Sequence, residues 1–285
     1  MKFGDFEIRS FVSERFALDG GSMFGVIPKT MWQKLMPADE NNLIQMVNNL
    51  FVLTAHGKHF MFDIGLGDTL TDREKKIYGT DGVSHIESGL ASLGLTPEKI
   101  DYLLLTHLHT DHCAGAVKKV HDKYVSRFPN ARAVISEREW RVAINPDERT
   151  SAVYIPERLR ALEEAGLVDL IDGDRYSLMP GITLCHTGGH SEGHYGIEME
   201  SRGAQVWYYA DMLPSQYHLR VPFIPATDIY PIESMAVKRK LVPRILKERA
   251  IIAFDHETQF ALGKVTEVDG KIKCEAAETT PAAVH

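Results

Sequence analysis

Cysteine is scarce in this sequence of 285 residues, and long apolar runs are missing from it. The three cysteines, Cys113, Cys185 and Cys274, are odd in number and far apart, which predicts neither a disulfide framework nor a CxxC metal site. Cys113 is open to two interpretations, a small packed residue or a thiol near a metal. No apolar run approaches the roughly 20 residues that a membrane-spanning helix needs. Because the opening segment has charges every few positions and no signal-peptide core, we expect a cytoplasmic protein with no membrane partner.

An excess of positive charge is missing as well. The chain carries 32 Lys and Arg against 39 Asp and Glu, which gives a formal net charge of −7. A nucleic-acid partner usually requires a basic surface, so we expect none. Hydrophobic residues make up 44% of the chain and charged residues 25%, which is typical of a globular protein. Because no low-complexity linker divides the chain, we predict a single domain over residues 1–277 and a flexible tail over 278–285.

A dense cluster of metal-binding residue types follows the apolar run at 102–105. His107 and His109 are two positions apart, so they project to the same side of an extended backbone. Asp111 and His112 follow where the chain must turn, with Gly115 close behind. Imidazole and carboxylate groups together suit zinc, iron or manganese. The alternative is a histidine-rich surface loop, and the ligands found elsewhere in the chain argue against it.

Three further predicted strands end in residues that bind metals. The apolar runs at 181–186, 206–209 and 251–254 are followed by His190, Asp211 and His256. Strand ends are where a rigid scaffold can direct side chains towards one point. Seven ligands are too many for one tetrahedral zinc and suit two adjacent metal ions, for which the two oxygens of Asp211 are the natural bridge. Asp63, in the run at 59–64, is either a further ligand or part of a tight turn.

Other segments predict secondary structure without chemistry. Apolar runs at 49–55 and 59–64 predict a hairpin, and a second hairpin is expected over 263–268 and 271–275. Helical spacing over 84–93 comes with Ser84 and Glu87 in a capping-box pattern. A basic amphipathic helix over 233–249 is expected to be interrupted by Pro243. Hairpins followed by strand–helix alternation, twice over, predict two mixed sheets with helices on the outer faces.

The order of the ligands resembles the metallo-β-lactamase superfamily: an HxHxDH motif, a lone histidine in a glycine-rich loop, an aspartate and a final histidine. The resemblance covers essentially the whole chain. It implies an α/β fold, the four-layer αβ/βα sandwich, with the metals at one edge of two mixed β-sheets. It implies that one metal is bound by His107, His109 and His190 and a second by Asp111, His112 and His256, with Asp211 as the bridge.

The resemblance also implies a chemistry. Two divalent ions, with zinc expected and iron, manganese or cobalt as alternatives, would lower the pKa of a bridging water and so supply hydroxide to attack an ester carbonyl or a phosphorus. Asp111 would be both a ligand and the catalytic residue that carries a proton to the leaving group. His109 stands where the oxygen-reducing di-iron branch of the superfamily carries Glu. This difference favours a hydrolase over a non-hydrolytic metal protein.

Residues 21–29 and 211–215 resemble one branch of the superfamily, the quorum-quenching N-acyl-homoserine lactonases of the YtnP type and, more distantly, the methyl parathion hydrolases. This branch implies a small-molecule lactone substrate, with a phosphotriester or aryl ester as the alternative, and it suggests a homodimer. Pro214 departs from the pattern of other homoserine lactonases, which carry there a Tyr that contacts the substrate carbonyl. Candidate substrate-binding residues, each of which could instead serve packing or lie on the surface, are Met23, Phe24, Tyr217 and His218.

Overall fold

The computed structural model describes residues 1–277 of the chain, and the tail predicted over 278–285 lies outside the described residues. The strands of the first half are β1 (Lys2–Phe3), β2 (Phe6–Asp19), β3 (Leu43–Ala55), β4 (Lys58–Phe62), β5 (Tyr102–Leu104), β6 (Val117–Val120), β7 (Lys123–Ser126), β8 (Arg132–Ser136) and β9 (Val168–Ile171). Those of the second half are β10 (Arg175–Met179), β11 (Ile182–His186), β12 (Tyr195–Ser201), β13 (Ala204–Tyr208), β14 (Ile251–Ala253), β15 (Leu262–Val268) and β16 (Lys271–Ala276). The α-helices are α1 (Gly20–Phe24), α2 (Lys29–Trp32), α3 (Asp72–Ile77), α4 (Ile86–Ser92), α5 (Thr110–Cys113), α6 (Glu137–Ala143), α7 (Pro156–Glu164) and α8 (Pro231–Glu248).

Two seven-stranded sheets form the centre of the described structure. The first has the order β1-β2-β3-β4-β5-β8-β9 and the second the order β10-β11-β12-β13-β14-β15-β16, while β6 and β7 form a separate hairpin. Both sheets are mixed, because β4, β5, β8 and β9 pair in parallel in the first and β13 pairs in parallel with β14 in the second. The predicted pair of mixed sheets is confirmed.

Side-chain alternation builds four layers from these sheets. On β5, Leu103 packs into a core shared with α4, α6 and α7, whereas Leu104 packs into the core between the two sheets. A strand buried on both faces reads as a continuous apolar run, which is the pattern at 102–105. The outer face of the second sheet is covered by α8, whose Leu241 and Ile245 pack with Trp207 and Ile252. The order is therefore helices, sheet, sheet, helix.

Two local predictions are wrong. The predicted capping box at α4 does not form, because the helix begins one residue later, with His85 at the N-cap and without a side-chain hydrogen bond there. The Ser84 hydroxyl donates to the buried Glu14 carboxylate at 2.8 Å, and the Glu87 carboxylate accepts from Arg127 at 2.9 Å. Helix α8 is not interrupted at Pro243 but runs through it. Pro243 and Arg239, whose carbonyl loses its helical partner, both lie on the exposed side, where water can hydrogen-bond that carbonyl. In residues 1–277 no helix is long and apolar enough to cross a bilayer.

Candidate metal centre

The HxHxDH segment is positioned by the end of the buried strand β5. Beyond this strand the backbone is extended at His109 (φ −63°, ψ 152°) and then turns into the short helix α5, which carries Asp111 and His112. All four candidate ligands in the segment are buried. The ring centroid of His107 lies 4.5 Å from that of His109 and 4.1 Å from that of His112. The predicted cluster therefore points inward and is not a surface loop.

Asp211 connects this segment with the ligands from the second sheet. Its Oδ2 lies 3.1 Å from Nε2 of His190 and 3.8 Å from Nε2 of His107. Its Oδ1 lies 3.4 Å from Nε2 of His112 and 3.3 Å from Nε2 of His256. The two carboxylate oxygens thus face two different sets of imidazoles, which is the arrangement that a carboxylate between two metal ions requires.

The hydrogen bonding of these groups tests whether metal ions fit. A buried polar atom without a partner costs about 1–3 kcal/mol, so several in one place need an explanation. The side-chain atoms of the described residues that lack a hydrogen-bond partner include Asp211 Oδ1 and the Nε2 atoms of His107, His112 and His256, and these three Nε2 atoms lie within 3.3–3.8 Å of the Asp211 carboxylate. His109 instead turns its Nδ1 towards this centre, at 3.0 Å from His190 Nε2. Ions would satisfy these atoms, so the residues present fit two metals. The donors within 4.8 Å of one another form a first group, His107, His109, His190 and Asp211, and a second group, His112, Asp211, Asp255 and His256.

Asp111 and Asp255 both approach the second group. The Oδ2 atom of Asp111 lies 3.9 Å from Nε2 of His112 and 3.8 Å from Nε2 of His256, somewhat outside the closest set of donors. Asp255, which we did not predict, lies inside that set, with Oδ2 at 3.3 Å from His256 Nε2 and without a hydrogen bond. The only sequence signal for Asp255 is its place next to His256 at a strand end.

Protein groups behind the imidazoles orient the rings. The Nδ1 atom of His112 bonds to Asp63 at 2.9 Å, that of His190 to Asp228 at 2.8 Å, and that of His256 to the carbonyl of Val47 at 3.0 Å. A carbonyl or carboxylate partner places the ring proton on Nδ1 and leaves the Nε2 lone pair for a metal.

Asp63 is more than the end of a strand. Its carboxylate accepts hydrogen bonds from the backbone and hydroxyl of Thr106 (2.8 and 2.7 Å), from His112 and from the Tyr208 hydroxyl (2.8 Å). Its φ of +38° also places Asp63 in the tight turn that follows the strand, as one of the two interpretations of this residue predicts. With these donors bound to its carboxylate, the geometry favours a role in holding the HxHxDH segment.

Glu139, which we did not predict, holds the segments that carry the ligands of the first group. This fully buried carboxylate accepts hydrogen bonds from Leu108 N (3.0 Å), the Tyr154 hydroxyl (2.7 Å), the Ser191 hydroxyl (2.6 Å) and Gly193 N (3.2 Å). It therefore ties the HxHxDH segment to the loop that carries His190. A side chain at position 193 would have its Cβ 2.2 Å from Glu139 N, so only glycine permits this approach.

The pKa values of the imidazoles in the cluster are shifted in two opposite directions. Burial lowers the pKa of His107 and His109 well below the usual range, and neighbouring imidazoles lower it further. Near Asp211 burial is outweighed: its carboxylate raises the pKa of His190 to about 10, and Asp255 and Asp211 together raise that of His256 to about 9. Divalent cations at this position would take over the role of these protons.

A cavity of about 410 Å³ opens above the cluster. Its base includes His109, Asp111, His190, Asp211 and His256. The rest of its lining combines apolar side chains with a few polar ones, namely Leu18, Ser22, Met23, Ile77, Tyr78, Arg149, Thr150, Val153, Ala226, Thr227 and Ile229.

Of the four candidate substrate-binding residues, Met23 lines this cavity and three lie behind or beside it. Phe24 is fully buried and stacks between Trp32 and His218. The two ring nitrogens of His218 bond to the Ser215 hydroxyl at 2.8 Å and to the Met23 carbonyl at 2.9 Å, so this ring supports the cavity wall. The Tyr217 hydroxyl accepts from Gln259 at 3.1 Å. Tyr78, with its hydroxyl 3.5 Å from Asp111 Oδ1, is a cavity residue that the sequence did not reveal.

Cys113 is a small packed residue, which was one of the two interpretations of the sequence. Its thiol donates to the Leu108 carbonyl at 3.2 Å, and burial raises its pKa to about 12. Among the described residues, the Cys113 sulfur belongs to none of the donor groups that lie close enough together to share a metal ion.

Comparison with known proteins identifies the family. The family model described as the metallo-beta-lactamase superfamily matches residues 44–256. The chain belongs to the metallo-β-lactamase superfamily. The predicted family and the αβ/βα sandwich are therefore confirmed.

Three known proteins illustrate what the chain is similar to. A Staphylococcus aureus protein, a probable metal-dependent hydrolase, is 31% identical, with a TM-score of 0.90 over 99% of this chain and 100% of that one. AidC, a dizinc quorum-quenching lactonase in complex with the product N-hexanoyl-L-homoserine, shares the fold at 19% identity (TM-score 0.81, 99% and 97% coverage). An N-acyl homoserine lactonase of Bacillus sp. is 26% identical over 173 residues, which are 60% of this chain. The match spans 61% of that lactonase.

Proposed function

We propose that this protein is a dinuclear, metal-dependent hydrolase that opens lactone esters, with N-acyl-homoserine lactones as its substrates and zinc as its metal. One observation carries the proposal: the two oxygens of Asp211 face different imidazole sets at the base of a cavity with an apolar wall. The lactonases among the similar proteins, one of them named as dizinc and bound to an acyl-homoserine product, support this substrate class and this metal.

The ions and the chain divide the chemistry. When bound, two such ions lower the pKa of a coordinated water and polarise the oxygen of an ester. Asp111 lies in the cavity beside the second group of ligands, where its carboxylate can hold a proton from the attacking water and deliver it to the oxygen that leaves. Met23, Ile77 and Ile229 offer apolar contacts to an acyl chain and exclude water from the reacting group.

A phosphotriesterase or aryl esterase activity is the second candidate, and Pro214 is the observation that favours it. The carbonyl of Pro214 accepts from His256 N at 3.2 Å, and its side chain has no hydrogen-bond donor. A lactonase that relies on a phenol at this position would lack it here. Aryl leaving groups need less assistance to depart, so the loss would matter less for them.

A paired kinetic comparison tests the proposal. Metal-replete enzyme is assayed with homoserine lactones of rising acyl length, with paraoxon and with aryl esters. We expect kcat/KM to rise with acyl length and to exceed the other classes by more than tenfold, about 1.4 kcal/mol of transition-state preference. Higher efficiency on paraoxon or aryl esters would reject the lactonase assignment in favour of the second candidate.

A further inference from the structure

Tyr78 places a phenol hydroxyl over the candidate metal centre. The residue follows α3, its side chain is buried, and it lines the cavity. Its hydroxyl lies 3.5 Å from Asp111 Oδ1, at the outer limit of a hydrogen bond. The hydroxyl also contacts the Thr110 side chain. Because a hydroxyl proton can rotate towards a new acceptor, it is available to a substrate oxygen in the same space.

The surroundings of Tyr78 hold the phenol in place. Helix α3 begins with a capping box of Thr71 and Glu74, and the Glu74 carboxylate also pairs with the buried guanidinium of Arg158. The Tyr78 carbonyl accepts a hydrogen bond from Ala17 N at 2.8 Å. The Tyr78 and Phe16 rings pack edge to face, with their centroids 6.1 Å apart. Such anchoring lowers the cost of aligning a donor at the moment of reaction.

Three other polar groups of the cavity wall are bound to protein acceptors, and a fourth, Thr227, is exposed. The Ser22 hydroxyl donates to the Asp19 carbonyl at 2.7 Å, and the Thr150 hydroxyl donates to the Asp147 carboxylate at 2.8 Å. Arg149 is exposed and reaches the carbonyl of Ala226 at 3.3 Å. Tyr78 differs from Ser22 and Thr150, because its hydroxyl makes a long hydrogen bond, 3.5 Å, to a residue of the candidate centre itself.

We propose that the Tyr78 hydroxyl donates a hydrogen bond to the oxygen that leaves the acyl carbon when the ester opens. The proposal rests on the ester hydrolysis proposed above. Water adds to the acyl carbon, the bond from that carbon to the ester oxygen breaks, and its electron pair stays on the departing oxygen. The proton for that oxygen comes from the water by way of Asp111, while Tyr78 keeps its own proton and stabilises the developing charge.

The first test removes the hydroxyl and varies the leaving group. Tyr78→Phe is compared with wild type on N-hexanoyl-homoserine lactone, which has a poor alkoxide leaving group, and on 4-nitrophenyl acetate, which has a good one. We expect kcat to fall roughly 10- to 100-fold on the lactone and less than about threefold on the nitrophenyl ester. Tyr176→Phe, a half-buried phenol on β10 of the second sheet, is the matched control and should change neither. Equal losses of Tyr78→Phe on both substrates would overturn the proposal.

The second test separates a contact with substrate from an effect through Asp111. The product N-hexanoyl-homoserine carries the departing oxygen as a hydroxyl, and N-hexanoyl-2-aminobutyrate lacks it. We expect Tyr78→Phe to weaken inhibition by the product about fivefold and to leave inhibition by the analogue unchanged. If both inhibitors weaken equally, or neither does, Tyr78 does not touch this oxygen. Bound metal, measured by mass spectrometry, should be the same in both proteins.

Failure of the proposed function would be visible separately. If wild type cleaves 4-nitrophenyl acetate but opens no lactone, the lactonase assignment fails. The Tyr78 proposal is then tested with ethyl acetate against 4-nitrophenyl acetate, and the larger loss is still expected on the poor leaving group.

Discussion

The metal centre and the cavity wall above it are built in opposite ways. At the centre, three imidazoles whose Nε2 atoms face Asp211 each make a hydrogen bond through Nδ1 to another protein group, such as Asp63 or Asp228. In the wall, the apolar side chains come from segments as distant as Leu18 and Ile229 and contact the cavity through van der Waals packing. Ligand positions in the centre are fixed by hydrogen bonds to the side chains, whereas the apolar side chains of the wall are positioned by packing. Metal binding and substrate choice should therefore respond to different mutations.

The largest effect is expected from the residue shared by both ligand groups. Asp211→Ala removes the carboxylate that faces all of the flanking imidazoles, so both ions should be lost and kcat/KM should fall roughly 1000-fold or more. Metal content by mass spectrometry and turnover of the best ester substrate measure this. Retention of both ions by the variant would show that Asp211 is not the bridge.

A smaller effect is expected one layer further out. Asp228→Asn keeps the volume but removes the charge that holds His190 Nδ1, and metal affinity of the first group should fall about 10- to 100-fold. Asp63→Asn should lower the metal affinity of the second group by a similar factor through His112, and that of the first group by a smaller factor, because Asp63 also holds Thr106 beside His107. Chelator competition should reveal one weakened and one unaffected ion in Asp228→Asn, and two unequally weakened ions in Asp63→Asn. Equal weakening of both ions in either variant would contradict the separation into two groups.

Changing the wall should alter preference without altering metal content. Met23→Ala shortens an apolar lining side chain, so kcat/KM for long acyl chains should fall about tenfold relative to short ones. Val26→Ala is the matched control in the same segment, because Val26 is 93% exposed and lies outside the cavity lining. A loss of metal in Met23→Ala would break the distinction between centre and wall.

The smallest effect on catalysis is expected from Lys238, which lies behind the site. Its ammonium is buried, donates to the Phe223 carbonyl at 2.6 Å, and has its pKa lowered by burial to about 7. The unfolded chain has the ordinary value, so between pH 7 and about 10 it binds more protons than the folded protein, and the free energy of unfolding rises with pH. Below pH 7 both states are protonated and the burial penalty is fully present.

Denaturation at several pH values measures this dependence. Relative to Lys238→Met, wild type should gain on the order of 2 kcal/mol between pH 7 and 9. Metal content of both proteins should be equal. If the free energy of unfolding has the same pH dependence in both proteins, burial does not lower the pKa of Lys238.

How far the sequence predicts this protein depends on the range of the interactions. The run at 102–105 and the HxHxDH motif lie within a dozen positions, and the structure brings His107, His109 and His112 of the motif together with His190, Asp211 and His256. Asp111 lies somewhat outside the closest set of donors. The hairpin of β15 and β16 follows from alternation around Asp269-Gly270. The capping box at Ser84 does not form because the helix begins one residue later, and Ser84 and Glu87 bind the distant residues Glu14 and Arg127. A single domain, a cytoplasmic location and a homodimer stay predictions.

By itself the sequence predicted the family, the two mixed sheets and seven candidate ligands, because strand alternation and the order of ligand residue types can be recognised along the chain. Only the tertiary structure decided that Asp255 joins the second ligand group, that Glu139 ties two ligand loops together and that Tyr78 faces Asp111. It also decided that Met23 lines the cavity while Phe24 supports it from behind. The physical reason is that these contacts join segments separated by tens to hundreds of residues, and packing between such segments has no periodic signature along the chain.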